Sequence, residues 1–170
     1  MEKKFIILSS FLLFFLFGCN NHEINFVEIT RGSSMDPSQP RIGIKITSDN
    51  ELYICKEEIT NGERTGNYKY YKSNKPIKFE EYKEEILKYF DKKPSNSYFN
   101  VDDATFYQLY YVLDNKVYKS KFIESNSNND QSRLIFKLID FYLQKDLKQI
   151  PSYDFSIELL KEKLPPPPPL

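Results

Sequence analysis

The chain has 170 residues, with 24 basic and 24 acidic side chains, one His, two Cys and no Trp. Zero formal net charge removes the phosphate-neutralising excess on which nucleic-acid affinity rests, and one His with two Cys supplies neither a four-cysteine nor a two-cysteine, two-histidine zinc site, nor a disulfide scaffold. The length fits one domain, and 40% hydrophobic with 16% aromatic content is enough for a packed core.

Met1-Glu2-Lys3-Lys4 is a short basic start. An apolar run from Phe5 to Phe17 follows, broken only by Ser9 and Ser10. It falls short of the ~20 residues that a spanning helix needs. A basic start, a short apolar stretch and a small residue before a polar break make the pattern of a secretory signal. The run closes on Leu16-Phe17-Gly18-Cys19, followed by polar Asn20-Asn21-His22. This segment resembles the lipobox of bacterial lipoprotein precursors, with aliphatic Leu16 and small Gly18 at the matching positions. Phe17 departs from the pattern by its bulk. The resemblance implies diacylglyceryl transfer to the Cys19 sulfur, cleavage between Gly18 and Cys19, and acylation of the new amine. Residues 1–18 would then be a signal peptide and Cys19 the lipidation site. Each buried CH2 contributes ~0.8 kcal/mol, so two or three chains anchor stably where one does not. The implied location is a membrane, reached through a lipid anchor. Asn20, rather than Asp, after the Cys points to the outer membrane, with the domain exposed to the periplasm or the cell surface. Cleavage removes Glu2, Lys3 and Lys4, so the mature domain stays nearly neutral.

Residues 19–40 read as a tether, polar at first, with a short strand-like Phe26-Val27-Glu28-Ile29 and then loop material holding Pro37 and Pro40. A single domain is expected over 41–164. Ile42, Ile44 and Ile46 alternate over 41–47, which predicts a strand with one apolar face. Asp49-Asn50 turns the chain into a strand over 51–56. Asn61-Gly62 is a strong hairpin signal because both residues tolerate positive φ, and 67–72 is the return strand. Over 78–91 the period changes: Phe79, Tyr82, Ile86, Tyr89 and Phe90 form a helical stripe. Glu80, Glu81, Lys83, Glu84, Glu85 and Lys88 supply the solvated face, and Lys92-Lys93-Pro94 ends the helix. A second hairpin joins 105–113 to 116–124 through Asp114-Asn115, and 125–130 is a polar loop. Ser132 is placed to cap a second helix carrying Leu134, Ile135, Leu138, Ile139, Tyr142 and Leu143, which Pro151 ends. A short helix over 156–164 leads into the proline-rich tail 165–170, a polyproline II rod of ~15 Å. The order β-β-β-α-β-β-α predicts an α+β domain: an antiparallel sheet of about five strands with helices packed on one face.

No catalytic residue, cofactor or metal site emerges from the motifs: G-x-S-x-G, H-E-x-x-H, a phosphate loop and an EF-hand loop are all missing from the sequence. The one His, His22, lies in the tether, so no Cys-His or Ser-His pair forms without folding the tether over the domain. Cys55 sits in the strand-like Leu52-Tyr53-Ile54-Cys55 and reads as a buried structural thiol. Asp102-Asp103 point to opposite faces of a strand and read as turn caps; Glu57-Glu58 and the helix glutamates read as surface charge. Of the 13 tyrosines, Tyr68, Tyr70, Tyr71, Tyr107, Tyr110, Tyr111 and Tyr118 fall in predicted strands. Tyr107 and Tyr111 share a face, and with Tyr118 they form a candidate ligand face, since tyrosine offers a flat apolar body and a polar tip. The expected function is a lipid-anchored cell-envelope protein acting as a non-catalytic binding module. Its partner would be an envelope protein or a wall component, not nucleic acid. Two alternatives are a small inhibitor or immunity-like lipoprotein that neutralises a toxin or envelope hydrolase, and an unrecognised enzyme using carboxylates or tyrosines.

Overall fold

The computed structural model describes residues 24–32, 36–91, 104–156 and 160. Within them, alternating apolar residues form seven strands: β1 (Ile24–Arg31), β2 (Ile42–Thr47), β3 (Leu52–Thr60), β4 (Glu63–Ser73), β5 (Phe106–Leu113), β6 (Lys116–Ile123) and β7 (Leu147–Ile150). Helix α1 (Phe79–Phe90) follows β4, and helix α2 (Asn129–Ile139) follows β6. The strands make one sheet in the order β6-β5-β1-β2-β3-β4-β7, and every neighbouring pair is antiparallel. The class is α+β.

Two turns hold the hairpins in register. Asn61 and Gly62 adopt φ of 54° and 81°, and Asp114 and Asn115 adopt 50° and 62°. Both pairs are left-handed at both central positions, the geometry that matches the twist of flanking strands. Asn50, at φ 62° in the β2–β3 turn, has a second task. Its Oδ1 accepts the Phe79 backbone N–H at 3.0 Å, so a turn residue caps the start of α1. Helix α2 opens on a capping box: Asn128 Oδ1 accepts from Gln131 N at 2.9 Å, and Gln131 Oε1 accepts from Asn128 N at 3.0 Å.

The apolar side chains separate into two clusters. Val27, Ile29, Ile42, Ile44, Ile46, Leu52, Ile54 and Leu109 gather with Phe79, Tyr82 and Ile86 of α1 and with Leu134, Ile135 and Leu138 of α2. Tyr53 and Cys55 point the other way and pack with Phe155 and Leu160.

Several expectations need correction. The sheet has seven strands, not about five, and the order is β-β-β-β-α-β-β-α-β. The tether expected over 19–40 does not extend through 24–31. That stretch is β1, bonded on one side to β2 and on the other to β5, with Val27 and Ile29 each 1% exposed. Helix α2 is capped by Asn128, because an Asn with Gln three residues on satisfies two orphan amides, which Ser132 does not. Pro151 ends a strand rather than a helix. The helical path stops in a 3-10 turn over Asp140–Leu143, and Leu147–Ile150 pairs with β4. Proline, lacking an N–H, is compatible with the end of such an edge strand. Most of the helix expected over 156–164, and all of the tail 165–170, lie outside the described residues.

If β1 is core, Ile29→Ala will lower unfolding free energy by about 2–5 kcal/mol in urea titrations, the cost of a buried Ile→Ala cavity. Val117→Ala, at a side chain 59% exposed, will stay within roughly 0.5 kcal/mol.

Candidate functional site

The β1–β2 register puts Glu28 opposite Lys45. Alternation turns both away from Ile29 and Ile44, onto the face that carries Tyr53 and Cys55. Both are buried. Glu28 is fully buried and Lys45 is 8% exposed, and Lys45 Nζ lies 2.8 Å from Glu28 Oε1. A second pair stands further along the same face. Glu57 accepts from Arg41 Nε at 2.9 Å on one oxygen and from an Arg41 terminal nitrogen at 2.8 Å on the other. The Arg41 backbone N–H at 3.3 Å and the Gly66 N–H at 2.9 Å add two further donors, and the Arg41 guanidinium lies over the Tyr68 ring, 5.8 Å from its centre.

The C-terminal segment roofs this layer. Ser156 N–H donates to Glu28 Oε2 at 2.8 Å, Lys45 Nζ donates to the Asp154 carbonyl at 3.1 Å, and Tyr68 OH donates to the Leu160 carbonyl at 2.7 Å. Tyr153 stacks on Tyr53 with centroids 3.6 Å apart. Close approach is allowed by Gly43: a Cβ there would stand 3.1 Å from both the Phe155 ring and Leu160 Cδ1. A methyl group there would need both side chains to give by a few tenths of an ångström.

Burial and pairing act on the two glutamates in opposite net directions. Desolvation raises the Glu28 carboxyl above its ordinary value, and the hydrogen bond and charge of Lys45 with the Ser156 amide offset this only in part. Desolvation also opposes ionisation of Glu57, but the hydrogen bonds and charge of Arg41 outweigh it, so the carboxyl is held below the usual range. Cys55 is 1% exposed, and burial pushes its thiol up to about 12, with Glu28 and Glu57 adding to the rise. A thiol so far from its thiolate is a poor nucleophile.

Among the described residues, no group of three His, Cys, Asp or Glu side chains converges to hold a metal ion. No helix among them is long and apolar enough to cross a membrane.

The residues singled out from sequence divide sharply. Cys19, His22 and Asp102-Asp103 lie outside the described residues. Tyr107 and Tyr111 do not form an open ligand face, since they are 5% and 4% exposed and belong to the main core. Tyr118 is half-buried against that core and stacks on Tyr111 at 5.0 Å. The reason is parity: β5 turns Tyr107, Leu109 and Tyr111 toward the cluster that holds both helices. It is Tyr110, on the other parity, that stays half-exposed, stacked on Phe26 at 5.8 Å. Glu57 is not surface charge but the buried partner of Arg41. Cys55 is buried and carries no disulfide. Glu28, Lys45 and Arg41 were not anticipated as a set. A signal was there: Val27-Glu28-Ile29 and Ile44-Lys45-Ile46 each place one charge at the centre of an apolar strand run.

Compared with known proteins, the chain matches no family, no curated protein and no solved structure.

The opposite shifts give opposite pH behaviour. Glu57, with its pKa lowered in the fold, contributes stability above the ordinary 4.5, which is lost as pH falls through the lower folded value. Glu28, with its pKa raised, favours the fold below 4.5, and that contribution is lost as pH rises through the higher folded value. In urea unfolding between about pH 3 and pH 8, the deficit of Glu57→Gln relative to wild type will widen as pH rises to about 5 and then level off. It will reach on the order of 3 kcal/mol at neutrality, where Arg41 is left buried without its counter-charge. Glu28→Gln will improve relative to wild type over the same range.

Proposed function

We propose that this chain is a lipid-anchored cell-envelope protein, held in the membrane through Cys19, whose folded domain is a non-catalytic interaction module. The observation that carries the non-catalytic part is the engagement of the interior charges with one another. Glu28 holds Lys45, Glu57 holds Arg41 through two oxygens, and the roof segment donates its Ser156 N–H to Glu28 and accepts Tyr68 OH at the Leu160 carbonyl. A general acid or base needs access to substrate and a pKa near the working pH. These four groups have protein partners instead, and the Cys55 thiol beside them is protonated and covered.

The anchor rests on Leu16-Phe17-Gly18-Cys19 and its flanks. The two helices, in this reading, close one face of the sheet, while the other face keeps the half-exposed Phe106 ring under Lys121 Nζ at 5.5 Å, at the end of β5 away from the Asp114-Asn115 turn. Such amphipathic side chains suit contact with an envelope protein or a wall component, since rings and lysine stems bring apolar area with a polar end. The domain would face the periplasm or the cell surface from the outer membrane.

Cys19→Ala will move the protein from the detergent-extracted membrane fraction to the soluble fraction. Affinity capture of wild type from solubilised envelopes will recover a partner that the alanine form, missing from the membrane, recovers less of. Identical fractionation of the two forms would refute the anchor. A hydrolytic or transfer activity that disappears in Glu28→Gln or Glu57→Gln, with the fold intact by circular dichroism, would refute the non-catalytic reading.

A further inference from the structure

We propose that the foot of the sheet, where β1 begins and the β5–β6 hairpin turns, docks on the bilayer interface that holds the Cys19 acyl chains; this rests on the lipid anchor proposed above. The first argument is chain length. Five peptide steps separate Cys19 from Ile24, and at ~3.6 Å each they reach at most ~18 Å. An eight-residue strand such as β5 spans about 24–27 Å. The link is therefore shorter than the sheet is tall. It ends at the first residue of a central strand, not in a mobile arm.

The second argument is what lies at that foot. Ile24 pairs with Leu113, and Leu113 with Lys116, so the start of β1 and the Asp114-Asn115 turn form one corner. Val112 pairs with Val117, which is 59% exposed although Ser120, Phe122 and Ile123 of its own strand are buried. On the same face Phe26 and Tyr110 stack, both half-exposed, and Tyr110 pairs with Lys119. Lys116 is exposed beside the turn. Aromatic rings at headgroup depth, an aliphatic side chain beneath them and lysine heads among the phosphates form the usual composition of an interfacial contact. Asp114 in the turn opposes the two lysines, so apolar and aromatic burial carries the contact more than charge. Docking is thus expected on zwitterionic lipid and strengthened only modestly by anionic lipid.

The consequence is an end-on posture. The Asn61-Gly62 turn and the Arg41–Glu57 pair lie at the far end of the strands, pointing away from the lipid toward whatever the domain meets.

The test uses full-length lipidated protein in phosphatidylcholine vesicles, with and without phosphatidylglycerol, containing nitroxide-labelled lipid as quencher. Fluorophores are attached through Lys116→Cys at the foot or Glu63→Cys at the crown; Cys55 is buried and stays unlabelled in the folded protein. The foot label will be quenched roughly threefold or more above the crown label, and adding Val117→Asp will remove most of that excess while the protein still floats with the vesicles. Equal quenching of the two labels in floating protein, or deeper quenching of the crown, would overturn the docking while leaving the anchor standing. Loss of flotation in wild type would overturn the anchor itself and the docking with it.

Discussion

Strand β1 is hydrogen-bonded on both sides, and the rest of the molecule depends on that double pairing. Without it the sheet separates into β2-β3-β4-β7 and β5-β6, two ribbons whose apolar faces could no longer share one cluster with both helices. The same strand carries Glu28, which crosses to Lys45, and Val27 and Ile29, which go into the core. A stretch that begins as the exit from a tether is thus the axis of the fold. Four residues lie between it and Cys19, the proposed lipidation site.

The two faces of the sheet are stabilised by different physics. One buries isoleucine, leucine and aromatic side chains against two amphipathic helices, which is area removed from water. The other buries two ion pairs, which is expensive unless every donor and acceptor is matched. Matching is what the C-terminal segment does. Its Ser156 amide and the Asp154 and Leu160 carbonyls add hydrogen bonds to Glu28, Lys45 and Tyr68, and Phe155 takes the space that Gly43 leaves open. A charged layer under such a roof defines register and roof position more than it adds net stability.

Much of this architecture was legible in the sequence, and the misses have physical reasons. Asn61-Gly62 and Asp114-Asn115 declared their turns because few other residues accept positive φ. The three isoleucines of β2 and the stripe of α1 declared their periods. Strand β1 was half visible: Phe26-Val27-Glu28-Ile29 is strand-like, but charged Glu28 interrupts its apolar run and asparagines precede it, so local composition resembles a linker. Its pairing with β2 on one side and with β5, far along the chain, on the other makes it a central strand. Strand β7 was hidden because Leu147 and Ile150 continue a helical spacing from α2, and pairing with β4 wins over local preference. The tyrosine face was placed by parity, but parity cannot say which side the helices cover. Covering Tyr107 and Tyr111 left Tyr110 as the half-exposed ring. The buried pairs were half visible, as single charges centred in apolar runs, but which cation meets which carboxylate follows from strand register.

Hydrogen–deuterium exchange of the β1 amides in the full-length protein tests the central claim most directly. If β1 is both the axis of the sheet and the end of a short anchor, the amides of Val27 to Thr30 will exchange only through global unfolding, as slowly as those of Ile44 and Ile54. Exchange at the rate of an unstructured chain would contradict the account. It would return residues 24–31 to a flexible tether, and the end-on posture would fall with them.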